Sequence, residues 1–144
     1  MSLPIAVLIS GGGSNLQALI DRIEEGVLRA RIQVVVSNVP RAKGLERAEK
    51  HGIPYRVVPQ AAYSSRPAHD RAVIDILHSC GVQVVCLAGY MRLISPEFVQ
   101  AFPQRIMNIH PSLLPSFPGL HAQKQAVDYG VRLSGATVHF VDQE

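Results

Sequence analysis

Asn108 and His110 are the residues whose types and spacing most directly offer chemistry. They stand two apart behind the apolar pair Ile106-Met107, so on a short strand both point to one face. That face then carries a carboxamide and an imidazole. An imidazole exchanges its proton near neutral pH, and a carboxamide donates to a developing oxyanion without changing charge. Such a pair is suited to moving a proton while an oxyanion forms. Pro111, Pro115 and Pro118 follow, fixing φ and removing backbone donors, so the stretch from Met107 to Gly119 is expected to be a stiff, non-helical loop. Residue types alone leave open a plain proline-rich loop bearing a solvent-exposed histidine.

The second candidate is Gly11-Gly12-Gly13-Ser14-Asn15, between an apolar run and a stretch of helical periodicity. Glycines let a backbone approach a ligand closely, and a helix N-terminus offers free amides to an anion. Phosphate is the expected guest, with a tight turn that binds nothing as the alternative. The dinucleotide fingerprint is not met: its third glycine would stand at Leu16, and the acid due about 20 residues on is replaced by Val35, Val36 and Ser37. A Walker A loop is excluded by the missing Gly-Lys pair. A monophosphate is favoured over a dinucleotide.

These loops need strands to present them. Ile5 to Ile9 is apolar throughout, which suits a central parallel strand covered on both faces. Leu16, Leu19, Ile20, Ile23 and Val27 recur at helical spacing, with Ser14 available as a cap. Further strands are expected at Ile32 to Val36, Tyr55 to Val58, Val82 to Ala88, Ile106 to Ile109 and Gly135 to Val141. Helices are expected around Leu45 and Ala48, from Pro67 to Cys80, from the Ser95-Pro96-Glu97 cap to Phe102, and from Ala122 to Tyr129. This alternation predicts an α/β domain, doubly wound around a mostly parallel sheet, with ligands at the carboxyl ends of the strands. Both candidate stretches fall there.

Composition bounds the reading. The chain has 144 residues, 47% hydrophobic and 17% charged, which suits one globular domain. The net charge is only +3 and its 14 Lys and Arg are scattered, so a small anionic ligand is favoured over nucleic acid. No apolar run reaches membrane-spanning length and no targeting segment is recognisable, so no membrane role and a cytoplasmic location are expected. Cys80 and Cys86 lack metal spacing and read as reduced, buried thiols. His51, His69, His78, His121 and His139 read as surface or hydrogen-bonded core groups, with His121 near enough to Gly119 to border the site. No metal site is expected.

Together, Leu8 to Asn15, Leu87-Ala88-Gly89-Tyr90-Met91-Arg92-Leu93 and Asn108 to Gly119 resemble the phosphoribosylglycinamide formyltransferase family, in order along the whole chain. The Asn-Ile-His-Pro-Ser-Leu-Leu-Pro run is similar to other 10-formyltetrahydrofolate enzymes too, so it marks the superfamily. The glycine loop and Phe117-Pro118-Gly119-Leu120-His121 point to the ribonucleotide enzyme. The resemblance implies a Rossmann-like formyltransferase fold and transfer of a formyl group from 10-formyltetrahydrofolate to glycinamide ribonucleotide in purine biosynthesis, without a metal. It implies that Gly13, Ser14 and Asn15 hold the substrate phosphate, and that Arg66, Met91, Arg92, Leu93, Ile94 and Asn108 form the folate site. Asn108 and His110 would be catalytic, one donating to the oxyanion and the other shuttling the proton. A homodimer is open as an oligomeric state.

In that family a third catalytic group is an aspartate, which by pattern would fall at the second position after Glu144; Asp142 is not its equivalent. The expectation is therefore a single formyltransferase domain over 1–144 whose C-terminal part is missing. Two rival functions stay open: a formyltetrahydrofolate hydrolase, in which the same pair activates water, and a non-catalytic module that binds a phosphorylated metabolite. The resemblance also implies a cis Leu114-Pro115 bond. For His110, desolvation by Met107, Ile109 and Leu93 lowers the pKa, and the carboxylate that would raise it is missing, so a value below that of a full-length enzyme is expected.

Overall fold

The computed structural model describes residues 2–110 and 137–141, with the backbone alone for 109–110 and 137–139. Six strands form one sheet: β1 (Leu3–Ile9), β2 (Ala30–Ser37), β3 (Tyr55–Val57), β4 (Val84–Leu87), β5 (Ile106–His110) and β6 (Thr137–Phe140). Their spatial order is β3-β2-β1-β4-β5-β6. The first five run parallel, and β6 lies antiparallel to β5 at the edge. The expected mostly parallel, doubly wound sheet is what forms. Helices α1 (Ser14–Glu24), α2 (Gly44–Lys50), α3 (Arg66–Ser79) and α4 (Pro96–Ala101) connect the first five strands.

Strand β1 is apolar throughout because it is covered twice. Ile5, Val7 and Ile9 join Leu16, Ile20, Leu45 and Ala48 under α1 and α2. Ala6 and Leu8 join Val73, Leu77, Phe98 and Ile106 under α3 and α4. The two sets alternate along the strand, as side chains on a pleat must. The register between β1 and β2 shifts at one point, from Ile5↔Ile32 to Ala6↔Val34, leaving Gln33 over as a bulge. Ile32 and Val34 therefore face opposite layers. The Gln33 amide meanwhile donates to the Cys80 carbonyl (3.0 Å) at the end of α3.

Two expectations for α1 are corrected. Val27 is not on its apolar stripe: the helix stops at Glu24, Gly26 takes φ 76°, and Val27 is 71% exposed. The Val27 amide turns back to the Arg22 carbonyl (3.0 Å), closing the helix with a left-handed glycine. Ser14 does not cap the start either. Gly13 occupies that position at φ 75° without a side-chain hydrogen bond, and Ser14 is the first helical residue. The cap expected at Ser95 does form, its Oγ accepting from Phe98 N (3.2 Å), and Ser65, which the sequence reading did not single out, caps α3 likewise, its Oγ accepting from Ala68 N (3.2 Å). The helix expected over 122–129 lies outside the described residues.

Phe98 is fully buried where α4 meets α3 and the sheet, with its ring 5.8 Å from that of Phe102. Phe98→Ala is expected to lower the unfolding free energy by about 3–5 kcal/mol in urea titration, through lost burial and the cavity left behind.

Candidate functional site at the carboxyl ends of β1, β4 and β5

Sheet order places the chain's reversal between β1 and β4, and their crossovers leave on opposite faces. The loops after these two strands therefore part and leave a crevice, the usual ligand position in such sheets. Gly11 to Asn15 follows β1, residues 88–95 follow β4, and Asn108 stands near the end of β5.

In the first loop, Gly13 is left-handed at φ 75°, and a Cβ there would lie 2.8 Å from the Gly44 Cα, where α2 begins. Only glycine fits on both counts. At Gly11 and Gly12, by contrast, an added Cβ would meet nothing within 4 Å. Packing within the described residues does not require glycine at those two positions. No side chain caps α1 and its first turn holds no acid, so among the described residues its leading amides meet no side-chain acceptor. Ser14 is exposed, and Asn15 is half-buried.

The second loop is held from both ends. Ser10, which ends the first strand's run, donates through Oγ to Asn38 Oδ1 (2.5 Å) and accepts from Met91 N (2.8 Å). At the far end Asp70, buried on α3, accepts from Ser95 N (2.6 Å). Between them Arg92 donates to the Gln60 side chain, tying the loop to the turn at Gln60–Ala62 that leads to exposed Arg66. Ile94 packs on the core, while Met91 is 56% and Leu93 74% exposed. Leu93 is thus largely open to solvent, and its expected packing against the His110 ring lies outside the described residues. Burial, and then the Asp70 carboxylate, push the Tyr90 phenol well above its usual range, so it is a neutral donor at physiological pH.

Asn108 is half-buried on β5, paired across the sheet with Leu87 and His139, and His110 ends the strand opposite Thr137. The structure thus brings Asn108 to the same sheet edge as both loops. The His110 imidazole and its expected pKa, the Leu114-Pro115 bond and His121 lie outside the described residues. Among the described residues no three His, Cys, Asp or Glu are grouped to hold a metal ion, and no helix is long and apolar enough to cross a membrane.

Three contributors escaped the sequence reading. Gly44 and Arg47 of α2 contact the glycine loop, and Asp70 anchors the second loop from 25 residues away. Only the fold joins them to the site. His69 is the hydrogen-bonded core group expected of it, donating from Nε2 to the Val58 carbonyl (2.6 Å).

A family model described as formyl transferase matches residues 3–144. Phosphoribosylglycinamide formyltransferase of Escherichia coli (strain K12) is 46% identical over 140 residues, covering 97% of this chain and 66% of that protein. The trifunctional purine biosynthetic protein adenosine-3 of Homo sapiens is 49% identical over 140 residues, again 97% of this chain but 14% of that protein. A crystal structure of glycinamide ribonucleotide transformylase 1 from Symbiobacterium toebii superposes with a TM-score of 0.96 at 52% identity, over 99% of this chain and 68% of that one. The chain therefore spans about two-thirds of its single-function relatives and a small part of the trifunctional ones.

Removing the Ser10 hydroxyl leaves the buried Asn38 side-chain oxygen without its donor and releases the exposed Met91 amide. Ser10→Ala is expected to cost about 1–3 kcal/mol of stability in urea titration. Cys86 lies one step before the edge on β4, where burial pushes its thiol from 9.0 to about 11. The folded chain keeps this proton while the unfolded thiol sheds it, so stability present below pH 9 is lost as pH rises through about 11. Cys86→Ala should flatten that alkaline limb in unfolding measured against pH.

Proposed function

Because the chain belongs to the formyl transferase family, we propose that it transfers a formyl group from 10-formyltetrahydrofolate to the amine of glycinamide ribonucleotide. One observation carries the reading: the glycine loop, the 88–95 loop and Asn108 converge at the carboxyl ends of β1, β4 and β5. Gly13, Ser14 and Asn15 take the ribonucleotide phosphate. Support comes from the side-chain-free start of α1 and from glycines at 11 and 12 that packing leaves unexplained. Met91, Arg92, Leu93 and Ile94 receive the folate together with Arg66. The outward Met91 and Leu93 offer apolar surface to a flat ring, and backbone groups of the loop supply donors and acceptors.

The chemistry follows from these positions. The substrate amine attacks the formyl carbon, forming a C–N bond and a tetrahedral oxyanion. The Asn108 carboxamide donates to that oxygen, a contact strongest when the charge is greatest. His110 takes the proton from the attacking nitrogen and returns it to N10 as the bond from N10 to the formyl carbon breaks. No net charge or electron is left over.

Calorimetric titration is expected to show binding of both glycinamide ribonucleotide and a folate; absence of both would remove the reading's support. In the formyl-transfer assay, Asn108→Ala is expected to lower kcat by about 10²–10³-fold with little change in KM. His110→Ala is expected to lower it by about 10²–10⁴-fold. Release of free formate without any ribonucleotide, at the rate of the coupled reaction, would instead indicate a hydrolase.

A further inference from the structure

The glycine loop is braced from behind by the first turn of α2. Gly44 N donates to the Gly11 carbonyl (2.9 Å), and Arg47 Nε donates to the Gly12 carbonyl (2.8 Å). The same guanidinium donates through Nη1 to Gln17 Oε1 (3.2 Å) in the first part of α1. Within a planar trans peptide the carbonyl and the following N–H point in opposite directions. Holding the Gly11 and Gly12 carbonyls toward α2 therefore turns the Gly12 and Gly13 amides away from it. Successive amides aimed to one side make an anion-binding concavity.

The charge behind the loop fits the same use. Both acceptors of Arg47 are neutral oxygens, and among the described residues Arg47 belongs to no ion pair. Its positive charge thus stands half-buried against the loop, and among the described residues the carboxylate nearest to it through hydrogen bonds, Asp21, is reached only across Gln17. Lysine could supply the charge but not the planar fork that reaches Gly12 and Gln17 together.

We propose that Arg47 is a positioning residue for phosphate binding, acting through the Gly12 carbonyl to aim the Gly12 and Gly13 amides, with Gly44 setting how closely α2 approaches. The inference rests on the phosphate reading of the loop. Gly44 acts sterically: a Cβ there would lie 2.5 Å from Ile9 Cδ1 and 3.2 Å from both Gly11 O and Gly13 Cα, so Ile9 would have to move and the loop would have to give by a few tenths of an ångström.

The test compares Arg47→Ala, Arg47→Lys and Gly44→Ala with Lys50→Ala, which removes one exposed charge from the same helix. Affinity for glycinamide ribonucleotide and for a folate is read by calorimetry, and the Gly12 and Gly13 amide signals of the ligand-free protein by NMR. Arg47→Ala is expected to weaken ribonucleotide binding by about 10–100-fold, the range for losing a charged hydrogen-bond donor. Arg47→Lys should recover only a minor part, and Gly44→Ala should weaken binding by a different route. Folate affinity should stay within about twofold, which also shows that the variants fold, and the two amide signals should move in Arg47→Ala but not in Lys50→Ala. Wild-type affinity in Arg47→Lys would make charge alone responsible and overturn the positioning role, as would unmoved amide signals in Arg47→Ala. Ribonucleotide binding by the wild type that Arg47→Ala leaves unchanged would sink this inference alone. Failure of the wild type to bind the ribonucleotide while it binds a folate would overturn the phosphate reading, and this inference with it.

Discussion

The pairing of β1 with β4 is the constraint from which the site follows. The chain runs outward from β1 to β3 and then returns to β4 on the other side of β1, so its direction of progress across the sheet reverses here. Right-handed crossovers then oblige α1 and α2 to cover one face and α3 and α4 the other. The segments leaving β1 and β4 must diverge, and the space between them cannot be filled by either helix layer. A dry, fully apolar β1 is the condition for this geometry, since any polar side chain on Ile5 to Ile9 would be buried without water on one face or the other.

Close backbone approach shapes the glycine-loop side of that crevice. Gly13 and Gly44 approach so closely that neither tolerates a Cβ, which sets the height of the glycine loop above the sheet. The loop after β4 is fixed by its amides, Met91 N to Ser10 Oγ and Ser95 N to Asp70 Oδ2. These two amides are spent on holding the loop, so the backbone groups between them are ordered in advance, which lowers the entropy cost for any ligand that uses them. Asn108 stands on a strand, the stiffest support available.

Much of this was legible because the signals are local. A short run apolar on both faces, a glycine cluster between strand and helix, and Ser-Pro or Ser-x-Pro helix starts each depend on a few neighbouring residues, and β1, α3 and α4 appear within a few residues of where the spacing puts them. What escaped depends on residues distant in sequence. Ser14 has the residue type of a cap, yet Gly13 takes that place because it must lie against Gly44, about 30 residues on. Val27 fits the helical stripe by spacing, but the left-handed Gly26 ends the helix first. The β2 bulge at Gln33 leaves no mark in a run of β-branched residues, because periodicity reads the same on either side of it. Arg47 and Asp70 look like ordinary charged positions on helices, and only the sheet order brings them to the loops they hold.

The Ser10 hydroxyl shows how the two halves of the crevice are kept in register. It has one proton and uses it on Asn38, at the end of β2; a lone pair takes Met91 N, after β4. The glycine loop begins at the very next residue. Distance between the two loops is therefore set by one oxygen that belongs to neither, with its only proton and one of its two lone pairs committed. Asn38 is itself buried, so it cannot turn to water to release the hydroxyl. A reaction that joins two bound molecules gains most when their separation is fixed before they arrive, because misplacement by even about 1 Å costs a large part of the rate. Ser10 is the atom-level means by which this fold would fix it, from behind the surface on which the proposed transfer would take place.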